Sequence, residues 1–149
     1  MTDPGPMASS QNDAEARYLA GMKVRREVLG DAHVDRATAG ATAFTADFQA
    51  YITRCAWGEI WTRPGLDRRT RSVITLTALI AGGFWDELSM HLLAARRNGL
   101  TDDEIAELIL QTAVYCGVPA ANHAFAIASR VLTAAHTTDS PSPERPEGK

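Results

Sequence analysis

Glycine- and proline-bearing breaks at Gly30, Pro64-Gly65, Gly82-Gly83, Asn98-Gly99 and Gly117-Val118-Pro119 punctuate this chain, and the stretches between them repeat apolar residues at spacings of three and four. No period-two alternation persists over the length of a strand. The pattern predicts an all-α chain, a single domain of about six helices over residues 13–136. The flanks, 1–12 and 137–149, are dominated by Pro, Gly, Ser and charge and read as disordered.

Within that frame, Asp13 to Leu29 is a helix closed by Gly30, and 25–35 leaves it as a charged connection. Phe44, Phe48, Tyr51, Ile52 and Cys55 mark the next apolar face. Asp67 is the expected N-cap of a helix reaching about Ala81, and its later turns are apolar almost all round, which predicts a buried position. The next helix runs from about Trp85 to Arg97 and ends at Asn98-Gly99. Thr101 and Glu104 form a capping box for a helix burying Ile105, Leu108, Ile109, Thr112 and Cys116. Pro119 opens the last helix, with Ala121, Ala124, Phe125, Ala128, Val131 and Leu132 on one side.

Composition enters as exclusions. A net charge of −3 and a pI near 5.8 disfavour nucleic acid or an anionic membrane as partner, since both select a basic surface. No apolar run approaches the ~18–20 residues of a membrane span. The first residues lack the basic-then-apolar pattern of a signal peptide. Cys55 and Cys116 make no CxxC and no metal-ligand spacing, so both read as reduced core thiols of a cytoplasmic protein.

Chemistry concentrates at Phe84-Trp85-Asp86-Glu87-Leu88-Ser89-Met90-His91. On a helix, Phe84, Glu87, Leu88, His91, Leu92 and Ala95 share one side. Glu87 and His91 lie one turn apart in an apolar stripe, where an acid and an imidazole are least expected. Proton transfer is one use for them; a satisfied core histidine or a half-exposed ion pair are others. Arg63, Arg68, Arg69 and Arg71 bracket the start of the buried helix, although cations are disfavoured at a helix N-terminus. A carboxylate-bearing ligand would explain them, Arg63 and Arg71 above all, because guanidinium forks carboxylate in bidentate fashion. Trp57, Glu59 and Trp61 either line a pocket or pack a connection. His33 reaches a site from a loop or sits at the surface, and Tyr115 with Asn122 flanks the Gly117–Pro119 break.

Taken in order, Arg25-Arg26-Glu27-Val28-Leu29-Gly30-Asp31-Ala32-His33-Val34, Trp57-Gly58-Glu59-Ile60-Trp61-Thr62-Arg63-Pro64-Gly65-Leu66, Arg69-Thr70-Arg71-Ser72, Glu87-Leu88-Ser89-Met90-His91 and Tyr115-Cys116-Gly117-Val118-Pro119-Ala120-Ala121 resemble the carboxymuconolactone decarboxylase family. That family shares its all-α fold with the alkyl-hydroperoxidase D-like proteins. The peroxidase branch carries CxxCxxxH; laid on this helix, its cysteine positions fall on Phe84 and Glu87 and its histidine on His91. The chain keeps the histidine and lacks the redox pair a thiol peroxidase needs.

The resemblance implies decarboxylation of 4-carboxymuconolactone to an enol-lactone in aromatic catabolism, without metal or organic cofactor. It implies Glu87 and His91 as catalytic residues, and Arg63, Arg71, Trp61, Glu59 and His33 as substrate-binding residues. The expected partner is a small lactone dicarboxylate. The expected assembly is a homo-oligomer, a trimer or hexamer. A decarboxylase or isomerase of a related lactone, or a non-catalytic ligand binder of the same fold, are the competing expectations.

Overall fold

The computed structural model describes residues 6–139, and the side-chain surroundings of 11–138. The expected disorder of 140–149 and of the first five positions lies outside the described residues, while 137–139, expected in the disordered tail, are the last residues of a helix. Among the described residues every regular element is helical: α1 Pro6–Leu29, α2 Asp31–Ala39, α3 Ala46–Ile52, a π-helical segment Thr53–Ile60, α4 Arg68–Gly82, α5 Trp85–Arg97, α6 Asp102–Cys116 and α7 Val118–Asp139. The chain divides into two compact units, Met1–Ile74 and Thr75–Lys149.

The first unit is built on α1 packed along the π-helical segment. The approach is so close that a Cβ on Gly21 would lie 2.0 Å from the Thr53 carbonyl oxygen, and one on Gly58 2.1 Å from that of Arg17. Both residues must therefore be glycine. The widened turn is visible where the Trp61 amide donates to the Ala56 carbonyl, five residues back, at 2.9 Å. Val24, Val28, Leu29, Val34 and Trp57 are the buried apolar side chains here.

Several expectations are corrected in this unit. α1 starts at Pro6, ahead of Asp13. The charged connection expected through Asp35 is the helix α2. Gly30, at φ 86°, breaks the backbone for a single residue, after which the Val34 amide already donates to the Gly30 carbonyl. Charge strengthens the junction instead of opening it, since the Arg26 guanidinium pairs with Asp31 at 3.1 Å and Asp35 at 2.7 Å, and both carboxylates hold its pKa up. The Phe44, Phe48, Tyr51 face is not buried: these side chains are 96%, 61% and 57% exposed. Periodicity marks a face that is apolar, not one that its own unit covers.

The second unit packs α7 against both α5 and α6. Its core joins Leu76, Ile80, Leu88, Leu92, Leu100, Ile105, Ile109 and Leu132 with Ala95, Ala121, Ala124 and Ala128. The alanines on α7 recur at helical spacing and let the neighbouring helices come close. α5 has the expected bounds, and the Thr101–Glu104 capping box is complete in both directions, at 3.2 and 2.9 Å. In α4 the all-round burial is corrected to a stripe of Ser72, Leu76 and Ile80, with Val73 and Ile74 exposed. Cys55 and Cys116 are free but half-buried, not core.

Candidate active site

The candidate residues divide between the units: His33, Glu59, Trp61, Arg63 and Arg71 in the first, Glu87 and His91 in the second. In the second unit, α5 places Glu87 in its first turn, exposed, and His91 one turn later, half-buried. Leu88 and Leu92, next to them on the helix, are fully buried and anchor that face. The pair is thus mounted on a rigid helix over a packed core, while the carboxylate remains open to solvent. A cleft of about 710 Å³, lined by Leu93, Arg96, Arg97, Val131, Ala134, Ala135 and Thr138, lies at the opposite end of α5.

The first unit holds the aromatic and cationic candidates. Trp57 is buried and Trp61 half-buried; their rings lie 5.1 Å apart, tilted by 31°. The π-helical turn brings the two indoles together. Glu59, exposed on the same segment, faces Arg17 at 3.8 Å. Beyond it the chain turns at Pro64-Gly65, and Arg71 closes that turn. Its Nε donates to the Leu66 carbonyl at 3.2 Å and an Nη to the Arg63 carbonyl at 2.9 Å. The Arg71 guanidinium therefore braces the loop that presents the exposed Arg63 side chain. Arg68 is taken up by Glu27. The loop ends at Asp67, whose carboxylate accepts from the Thr70 amide at 2.6 Å, a bond that lowers its pKa. His33 lies half-buried within α2, not on a loop.

Two further side chains were not singled out by sequence reasoning. His123 of α7 stacks on Trp85 in the first turn of α5, with centroids 4.4 Å apart and planes within 3°. Arg25 is buried, 5% exposed, and donates to Thr53 Oγ1 at 3.1 Å and Gln49 Oε1 at 3.0 Å. Burial lowers its pKa. The sequence did hold a signal for Arg25, since it falls on the inward stripe Gly21, Val24, Arg25, Val28. Nothing comparable marked His123. Among the described residues, no group of His, Cys, Asp and Glu gathers as a metal site would require, and no helix is long and apolar enough to cross a membrane.

Comparison with known proteins identifies relatives of this chain. The family model described as "Carboxymuconolactone decarboxylase family" matches residues 46–130. The chain is 51% identical over 118 residues to the 4-carboxymuconolactone decarboxylase of Acinetobacter baylyi, covering 79% of this chain and 88% of that protein. It is 42% identical over 127 residues to the nitrosuccinic acid decarboxylase npaB of Metarhizium robertsii, covering 84% of this chain and 89% of that one. A 4-carboxymuconolactone decarboxylase sequence from Pseudomonas putida matches at 55% identity over 47 residues, 32% of this chain and 98% of that sequence. With the family model spanning more than half of the chain and the Acinetobacter relative aligned over most of both proteins, the chain belongs to the carboxymuconolactone decarboxylase family.

Proposed function

We propose that this protein is a carboxy-lyase that converts 4-carboxymuconolactone to 3-oxoadipate enol-lactone and CO2, a step of protocatechuate catabolism. The observation that carries the reading is the 51% identity to an enzyme of that name, over 88% of its length. The chemistry of the substrate explains why the chain's own side chains suffice. One ring carbon bears a carboxylate and an acetate arm. As its C–CO2 bond breaks, the electron pair moves through the ring double bond into the lactone carbonyl. A proton then joins the ring carbon beside that carbonyl, and the enol-lactone results.

The protein has to hold two carboxylates, stabilise the developing oxyanion and deliver one proton. Arg63 is assigned to a carboxylate, on a loop fixed by Arg71, which contributes its positive charge from beneath. Trp61, Glu59 and His33 complete the binding group. His91 is assigned to the oxyanion, and Glu87 with His91 to the proton. No metal or organic cofactor has a step to perform.

The 42% identical relative favours a second reading. Nitrosuccinate is also a succinate whose carboxylate-bearing carbon carries an electron sink, a nitro group in place of the unsaturated lactone. Two carboxylates at the same separation ask the same of Arg63. Purified protein assayed with both compounds decides: loss of the lactone's ultraviolet absorbance with CO2 release supports the first reading, and turnover of nitrosuccinate alone replaces it with the second. No turnover of either leaves a ligand-binding member of the fold.

A homo-oligomer, trimer or hexamer, is part of this proposal. Phe44, Phe48 and Tyr51 in the first unit, and Leu110, Val114, Tyr115 and Val118 in the second, are exposed in the single chain, a display that a further copy would cover. Free, half-buried thiols accord with a reducing, cytoplasmic setting.

A further inference from the structure

Arg25 is 5% exposed, its two Nη groups bind the neutral acceptors Thr53 Oγ1 and Gln49 Oε1, and its Nε–H has no hydrogen-bond partner. No carboxylate among the described residues pairs with it. A buried charge without a counter-ion destabilises a fold, and an apolar side chain of similar volume is often neutral or better in its place. Stability therefore does not explain this arginine.

Its contacts explain it. Gln49 belongs to α3, and Thr53 is the first residue of the π-helical segment. The Thr53 hydroxyl, while accepting from Arg25, donates to the Gln49 carbonyl at 2.8 Å. The guanidinium thus grips both sides of the junction at which the backbone passes from i→i−4 to i→i−5 hydrogen bonding. Helix register matters greatly here. A slip of one residue turns every following side chain by about 100° around the axis. Such a slip would carry Gly58 away from Arg17 and drive a side chain into that backbone. It would also separate the Trp57 and Trp61 rings and re-aim Glu59.

We infer that Arg25 is a positioning residue for decarboxylation: by clamping Gln49 and Thr53 it sets the register of the π-helical segment and so aims Trp57, Glu59 and Trp61 at the substrate. The catalytic half of this statement rests on the function proposed above; the register half does not.

The test compares Arg25→Met, Arg25→Lys and Thr53→Val with wild type by thermal unfolding, by circular dichroism of the coupled Trp57–Trp61 indoles, and by steady-state kinetics on the lactone. Arg25→Met is expected to melt at or above the wild-type temperature, to lose the paired-indole signal, and to raise KM about 10- to 100-fold, the scale of a slight misplacement. Lysine, which can still donate to one acceptor, should restore part of both. Thr53→Val removes the acceptor and keeps the volume, so it should share the spectral and KM changes even if Arg25→Met fails to fold. Wild-type spectra and wild-type KM in folded Arg25→Met, or in Thr53→Val if that methionine variant does not fold, overturn the inference. If wild type turns over no lactone, the proposed function fails, and the paired-indole signal still decides the register.

Discussion

The second unit buries Leu76, Ile80, Leu88, Leu92, Ile105 and Ile109 around alanines, and its buried polar side chain, Thr112, spends its hydroxyl on the Leu108 carbonyl at 2.8 Å. The first unit buries Arg25, Thr53 and Ser72 beside a valine-rich face and presses glycine backbone against backbone. One region is an apolar core with local helix caps; the other fixes geometry with polar groups and close backbone contacts. The contrast separates two tasks. Glu87 and His91 ride on the apolar core, beside the buried Leu88 and Leu92. Glu59 and Trp61, proposed for substrate binding, follow the segment that the Arg25 clamp opens, where polar contacts set geometry.

The largest effect should come from Glu87 and His91, the pair proposed to handle the proton. His91→Ala and Glu87→Gln are each expected to lower kcat by about 10²–10⁴-fold, the scale of a general acid–base group, while melting within a few degrees of wild type. The double variant should lose little beyond the worse single one, because groups acting as a unit are not additive. Large melting losses with activity kept per folded molecule would move both residues from chemistry to packing and erase the contrast.

Next come the two kinds of interior. Leu92→Ala should cost about 2–5 kcal/mol, seen as a lower melting temperature in calorimetry with a cavity left behind. Gly58→Ala has no such relaxed solution. Overpacking commonly costs ~1–3 kcal/mol, and here the obstacle is the Arg17 carbonyl, so the loss should reach that range's top or exceed it. A Gly58→Ala variant that melts like wild type would show that the first unit is not held by this contact.

The arginines sharpen the comparison within the first unit. Arg63→Ala should raise KM with little change in melting temperature. Arg71→Ala should raise KM and also lower the melting temperature, because two loop carbonyls lose their donor. Arg71→Lys should recover only part, since the fork is lost. Equal behaviour of the two alanine variants would contradict the bracing role.

The smallest effect is at Asp67. Its folded pKa is depressed below 3.8, chiefly by the Thr70 amide. The cap therefore contributes stability above the unfolded value and loses it as pH falls through the folded one. Acid titrations of wild type and Asp67→Asn should converge below that window; a gap that persists at the lowest pH would deny the cap its charge dependence.

Much of the second unit was legible because its signals are local. Gly99 and the Thr101–Glu104 box act within a few residues, so α5 and the start of α6 stand where the spacing put them. The π-helical segment was not legible. It depends on Gly21 meeting Gly58, far along the chain, and a period of 3.6 read through Phe44, Phe48, Tyr51 and Ile52 continues smoothly over it. Arg25 stood in plain view among Gly21, Val24 and Val28, but a charge on an apolar stripe is recognised as a clamp only once its acceptors are known. The candidate site shows the same division. Glu87 and His91 are neighbours by helical spacing alone, whereas the loop-bracing use of Arg71 follows from how the Pro64-Gly65 turn closes.

The glycine contact has a consequence for heredity. The Cβ of a residue at position 21 would meet the backbone of Thr53 and Gly58, and the Cβ of one at 58 would meet the backbone of Arg17. Side-chain collisions can be relieved by a second substitution nearby; a collision with main chain cannot. A substitution at either position therefore has to be met by a shift of main chain, the costlier response. A lineage that drifts freely around them is expected to keep both, and a directed-evolution library that randomises either and is ranked by melting temperature should return glycine at the top.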